Sequence, residues 1–191
     1  MTLTIRSAQP DDLVELVEIL HTSFYSNTGI CCWLQPLLRL GMYEDMRQRL
    51  QKLSTSHQII LVAIAESNRD ARQSQIVGTV EIDLLPVPVL PFLESHSPYV
   101  SNLAVKREYR RQGIAQRLLA ACEQIAIEQG FQNLYLHVQD KNDVAKQLYT
   151  KVGYSTHKPT YSWQDWQPWR FGKMLLHKQL DALSKERHRV I

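Results

Sequence analysis

The sequence predicts an α/β (α+β) fold built around a mixed sheet, and three observations carry that expectation. Runs of alternating or continuously apolar residues interleave with segments whose apolar residues recur at helical spacing. Two adjacent apolar runs, Ile59–Ala65 and Ile76–Ile82, flank the polar stretch Glu66–Gln75 and read as an antiparallel hairpin. From Tyr99 to Gly153 the order is strand, helix, strand, helix, and a right-handed crossover makes strands 99–105 and 133–139 parallel. Parallel strands that diverge open a slot between them.

At 191 residues the chain is long enough to bury a real core. Residues 1–180 read as a single domain and 181–191 as a basic C-terminal tail. Hydrophobic residues make up 44% and charged residues 21%, ordinary for a globular protein. The formal net charge of +3 is too mild to point to nucleic acid, so its clustering matters more than its size. Cys31, Cys32 and Cys122 form no disulfide framework, which fits reduced thiols. Met1–Arg6 runs into a polar turn without the apolar core of a signal peptide, and no apolar run is long enough to span a bilayer. These points lead to the expectation of a cytoplasmic protein, monomer or homodimer, with no membrane partner and no metal.

Taken in order, Leu3–Arg6 alternates as a short strand, and Pro10, Asp11 and Asp12 supply helix-start chemistry. Leu13, Leu16, Val17 and Leu20 form a helical stripe reaching Phe24. Tyr25–Gly29 breaks it, and Leu34–Leu53 reads as a second helix. Phe24, Tyr25 and Trp33 either pack inside or line a pocket. On the returning strand Glu81 reads as a solvent-facing residue. Leu84–Pro98 holds Pro86, Pro88, Pro91 and Pro98, and is expected to be a stiff extended loop rather than a strand. After Gly130, Leu134, Leu136 and Val138 share one strand face while Tyr135, His137 and Gln139 share the other. Asn142 caps a helix whose buried stripe is Ala145, Leu148, Tyr149 and Val152, ended by Gly153. An aromatic group of Trp163, Trp166, Trp169 and Phe171 precedes a last strand, Lys173–Lys178.

The chain is organised around Tyr99–Gly130. A strand-like run, Tyr99–Val105, leads into a basic turn with Lys106, Arg107, Arg110 and Arg111. Gly113 then opens the helical pattern Ile114, Leu118, Leu119, Cys122, Ile125, Ala126, and Gly130 stops it. Free N–H groups and the dipole at a helix start attract anions, a glycine removes the obstructing side chain, and the basic residues raise the local potential. The turn reads as a pyrophosphate cradle or as an ordinary crossover with a solvated basic loop. It lacks the lysine and hydroxyl residue of a triphosphate P-loop and the paired glycines of a dinucleotide fingerprint.

Arg110-Arg111-Gln112-Gly113-Ile114-Ala115 resembles the Arg/Gln-x-x-Gly-x-Gly/Ala signature of the GNAT superfamily of acyl-CoA-dependent N-acetyltransferases. Asn102–Val105 is similar to that family's central strand, and Gly78-Thr79-Val80 to its third, which implies for the adjacent Glu81 the alternative of a base in the acceptor site. Asn142, Ala145, Leu148-Tyr149, Lys151 and Gly153-Tyr154 resemble its second motif, with Tyr154 in place of the usual Phe. The resemblance spans residues 3–155, most strongly from Tyr99 onward. It implies a GNAT fold: a mixed, mostly antiparallel sheet with a splayed parallel strand pair and helices on both faces. It also implies acetyl-CoA as donor, its pyrophosphate over Gln112–Ala115 with Arg110 and Arg111 beside it. The pantetheine arm would pair with backbone at Leu103, Ala104 and Val105, and Asn142 and Tyr149 would complete the site.

Such a transfer needs a neutral amine, stabilisation of the carbonyl oxygen and a proton for the departing thiolate. The resemblance assigns that proton to Tyr149, against a purely structural role as a buried helix aromatic. His137, on a predicted inner strand, titrates in a range suited to a base, and equally reads as a structural hydrogen-bonding residue. Tyr135–Gln139 is further similar to a strand of N-terminal acetyltransferases acting on Met-starting chains. In that class this histidine, and a tyrosine at the place of Tyr99, serve as bases through water. Plastid and cyanobacterial members that acetylate lysines and protein N-termini are likewise similar. The expected acceptor is therefore a protein α-amine or lysine. The alternatives are a small arylalkylamine or polyamine, or a non-catalytic acyl-CoA-binding module.

Overall fold

In the computed structural model the described residues are 2–24, 35–52, 58–66, 74–90, 93–156 and 172–180. Alternating Thr2–Ser7 forms β1, whose register runs antiparallel to β2 (Ile59–Glu66) from Thr2↔Glu66 to Ser7↔Leu61. Between them lie α1 (Leu13–Phe24) and α2 (Gln35–Lys52). β3 (Ser74–Leu90), β4 (Leu93–Val105), α3 (Ile114–Glu128), β5 (Asn133–Gln139), α4 (Asp143–Lys151), β6 (Ser155–Thr156) and β7 (Lys173–Gln179) follow. The seven strands are ordered β1-β2-β3-β4-β5-β7-β6. β4 and β5 are parallel, with Tyr99↔Tyr135 and Val100↔Leu136 in register, whereas β5–β7 and β6–β7 are antiparallel. No helix among the described residues is long and apolar enough to cross a membrane.

Two compact units share β3 and β4, one comprising Met1–Glu81 with Asn102–Leu119 and the other Ile82–Ser101 with Ala120–Ile191. In the first, the predicted stripe of Leu13, Leu16, Val17 and Leu20 is buried and packs with Met46 and Leu50 of α2 and Ile60 and Val62 of β2. Helices cover both faces of β3. Gly78 and Glu81 are three residues apart and so project oppositely in a strand of period two. Gly78 meets Ile114 and Leu118 of α3, while Glu81 bonds Arg49 of α2.

Gly78 is fixed by space. A Cβ there would sit 3.0 Å from the Ala104 carbonyl oxygen and 3.3 Å from both Ile114 Cγ2 and Leu118 Cδ1. Strand propensity alone favours valine at such a position, but its two methyl groups would push into backbone. Gly78→Val is expected to cost about 1–3 kcal/mol and lower Tm by roughly 2–12 °C in a thermal melt. An unchanged Tm would show that β3 and β4 separate without penalty.

In the second unit β5 alternates as predicted, with Leu134, Leu136 and Val138 buried. Gly130 and Gly153 stand just beyond α3 and α4 with φ of +84° and +95°. Tyr154 packs its ring edge-on to Tyr149 at 5.8 Å, and Lys178 Nζ lies 5.9 Å from its centroid while also pairing with Glu123 at 2.7 Å.

The expected loop at Leu84–Pro98 is a correction. β3 continues through Pro86 and Pro88 to Leu90, and β4 begins at Leu93 and passes through Pro98. β3 has 17 residues against 8 in β2, too many to pair with that strand along its whole length. Pro86 and Pro88 are two apart, and their missing N–H groups therefore fall on one edge of the strand. An edge without a partner strand loses nothing there. Phe24 is a second correction: it is 49% exposed rather than packed. Cys31, Cys32, Tyr25, Trp33, Pro91, the tryptophans at 163–169, Phe171 and the tail lie outside the described residues.

Candidate active site

The basic turn is shaped by two left-handed residues. Arg111 has φ +65° and Gly113 φ +79°, on either side of Gln112. Successive backbone N–H groups around such residues form concave anion-binding nests. Gly113 O accepts from Arg117 N–H at 3.1 Å, so α3 starts at once and the amides of Ile114 and Ala115 lack helical acceptors. A Cβ at Gly113 would meet only Gln116 Oε1, at 3.8 Å, within 4 Å, so the space above the turn is open. Arg111 and Gln112 are exposed, as is Arg110, although Arg110 Nε donates to Val105 O at 3.0 Å. One edge of Arg110 thus secures the end of β4, and the Val105 carbonyl already holds a donor. Leu103 is half-buried, Ala104 and Val105 are buried, and Lys106 N–H continues the ladder to Val77 O at 2.8 Å.

The second unit gathers the proposed acid and base. Tyr99 Oη and His137 Nδ1 are hydrogen-bonded at 2.8 Å, with ring centroids 5.7 Å apart. The direction of that bond follows the imidazole tautomer. The register explains the contact: Tyr99 lies opposite Tyr135, and His137 is two residues further along β5 on the same face. Tyr149, on α4, is 8% exposed. Burial, and secondarily the neighbouring Tyr99 phenol, push its hydroxyl up to about 12. It therefore keeps its proton throughout the neutral range.

Asn142 is exposed, and its Oδ1 accepts from Ala145 N–H at 3.1 Å, capping α4. Its Nδ2 donors remain for a ligand. Sequence reasoning did not single out His177, which lies opposite Tyr135 in the β5–β7 register and stacks on it at 6.2 Å. Alternation within Lys173–Lys178 placed it on a face but offered no partner.

Glu81 is not solvent-facing. It is 1% exposed, and Arg49, Gln58 and Asn102 all donate to it at 2.9, 3.0 and 2.9 Å. Arg49 and Asn102 went unnoticed as its partners, since nothing in their local sequence marks them. An open, mainly apolar cleft of about 470 Å³ lies along α1 and α2, lined by His21, Pro36, Arg39, Leu40 and Tyr43.

A family model described as "Acetyltransferase (GNAT) family" matches residues 14–154, which include both the Gly113 turn and the Asn142–Tyr154 segment. The chain belongs to the GNAT acetyltransferase family. Among curated GNAT relatives, it is 26% identical to GCN5-related N-acetyltransferase 5, chloroplastic, of Arabidopsis thaliana over 169 residues. That match covers 82% of this chain and 52% of the relative, so the chain spans about half that relative's length. N-alpha-acetyltransferase 30 of Schizosaccharomyces pombe is 33% identical over 63 residues, covering 33% of this chain and 42% of that protein. The GNAT fold is shared with PaiA N-acetyltransferase from Thermoplasma acidophilum, a structure solved in complex with coenzyme A. The TM-score is 0.70 at 20% identity, with 94% of this chain and 99% of that one covered.

Proposed function

We propose that this chain transfers acetyl from acetyl-CoA to the α-amine of a protein N-terminus, with lysine side chains as lesser acceptors. The direct Tyr99–His137 hydrogen bond beside Tyr149 carries the reading. Acetyl-CoA supplies an acetyl group activated as a thioester and an anionic pyrophosphate that holds it in place. The left-handed Arg111 and Gly113, and the free amides opening α3, fit that anion. The likeness to an N-alpha-acetyltransferase supports the choice of acceptor.

His137, hydrogen-bonded to Tyr99, takes the proton that the acceptor nitrogen loses as its lone pair forms the new C–N bond. Tyr149 gives its proton to the sulfur as the C–S bond breaks. The balance is an N-acetylated chain and a free thiol, and the enzyme is restored when the proton gained by His137 is returned to the Tyr149 phenolate through solvent. An α-amine, with a reference pKa of about 7.7–8.0, is far closer to neutral at physiological pH than a lysine at about 10.4. A histidine–tyrosine pair therefore suits the N-terminus better than the side chain.

The test is a mass-spectrometric screen of peptide pools against polyamines and arylalkylamines. Peptides with free N-termini should be acetylated at rates set by their first two residues, with internal lysine slower. His137→Ala should depress the rate most below about pH 8, where fewer α-amines are already neutral. Strong preference for a free small amine, with peptides inert, would overturn this acceptor. Absence of turnover with any amine, despite donor binding, would leave only a binding module.

A further inference from the structure

We infer that Arg49, Glu81 and Asn102 form a positioning device that sets the course of β4 immediately before Leu103–Val105 and ties that course to α2. The inference rests on the reading above, in which Leu103–Val105 holds the arm of the acyl donor.

It starts from one backbone angle. Asn102 lies inside β4 yet has φ +50°, in the left-handed region that interrupts an extended strand. Asparagine tolerates this conformation better than most residues, but a strained backbone persists only where its surroundings over-determine it. Here the side chain supplies the constraint, because Nδ2 of Asn102 donates to Glu81 Oε1 at 2.9 Å.

Glu81 is held as firmly. Its other oxygen, Oε2, accepts from Arg49 Nη1 at 2.9 Å and from Gln58 Nε2 at 3.0 Å. A carboxylate at 1% exposure is costly unless both oxygens are satisfied, and here they are. Such a pair is weak evidence for stability as such, since apolar replacements often serve as well. It does supply direction: the oxygens dictate where Asn102 and Arg49 stand. With both oxygens bonded to protein donors, Glu81 is a positioning residue and not the base that the family resemblance offered as its alternative.

Arg49 extends the device to α2. It also pairs with Asp45 Oδ2 at 2.9 Å and sits between the buried Met46 and Leu50. The same helix lines the cleft through Arg39, Leu40 and Tyr43. A shift of α2 is therefore felt at Asn102, so the helix that borders the cleft and the donor strand are set together.

The experiment compares wild type with Glu81→Gln, Asn102→Gly, Arg49→Met and Arg49→Lys in the full chain. Calorimetry with acetyl-CoA, Tm, and kcat and KM for acetyl-CoA against pH are measured well below every Tm. Glu81→Gln and Arg49→Met should lower kcat/KM for acetyl-CoA at least about tenfold, as misplacement away from the chemistry does. The limbs of the pH profile should stay where they are in wild type. Arg49→Lys should recover part of the loss. Asn102→Gly keeps the left-handed backbone and removes only the anchor. Combined with Glu81→Gln it should cost no more than the larger single effect. If Glu81→Gln does not fold, Asn102→Gly and the Arg49 pair still read the coupling. Values within about threefold of wild type in folded variants, whatever their Tm, would overturn the device. Loss of the acidic limb in Glu81→Gln would also overturn it and make Glu81 the base. If wild type itself binds no acetyl-CoA, the proposed function fails, and this inference falls with it.

Discussion

Tyr149→Phe is expected to slow acetyl transfer by about 100- to 10,000-fold, the range of general-acid assistance, while acetyl-CoA affinity barely changes. The substitution removes one oxygen from a side chain that is 8% exposed and leaves its ring packed edge-on against Tyr154 at 5.8 Å. A loss of rate without a loss of binding then isolates the proton. Burial holds the phenol at about 12, so it stays protonated below that pH and can donate when the thiolate departs. Two signatures follow. The wild-type rate should show no decline from Tyr149 ionisation until the pH approaches about 12. The variant should also recover with acyl donors whose thiols are more acidic, since they need less protonation on leaving. Single-turnover kinetics with chemistry rate-limiting checks both. A fall of less than about threefold would return Tyr149 to a packing role, because acid catalysis normally contributes far more.

Gly113→Glu should abolish acetyl-CoA binding in a protein that still folds. The position has φ +79°, which L side chains adopt only with strain, and it opens α3, where the free amides point. A carboxylate there is attracted by the helix dipole and competes with the pyrophosphate for the same amides. Gly113→Ala separates the causes, because it adds the strain without the charge. A Cβ has ordinary contact space, with Gln116 Oε1 at 3.8 Å, so alanine should weaken binding far less than glutamate. Calorimetry on both variants, with Tm as the control for folding, decides the matter. Unchanged affinity in folded Gly113→Glu would mean that the anion binds elsewhere.

Much of this was legible in the chain because it is written within a few consecutive residues. The stripe Leu13, Leu16, Val17 and Leu20, the alternation of Leu134, Leu136 and Val138, and the helix-ending glycines at 130 and 153 are local patterns that the structure repeats. The Gly113 turn and the Asn142–Tyr154 segment carried the family in the same way. The prolines between 84 and 98 misled for an instructive reason. Proline's effect depends on whether its edge of the strand has a neighbour, and composition does not say which edge that is. What the tertiary structure alone decided are contacts between distant positions. Tyr99 meets His137 across 38 residues, Arg49 meets Glu81 across 32, and Asn102 meets Glu81 across 21. Each depends on strand order and register, which only the assembled sheet determines. A one-residue slip of β3, β4 or β5 would turn that strand's partner in these contacts to the opposite face. The sequence by itself thus determined the family and most of the elements, and it marked the Gly113 turn as the candidate anion site. The packed sheet decided that Glu81 is buried, that Asn102 is its anchor on β4, and that the imidazole and the phenol share a hydrogen bond.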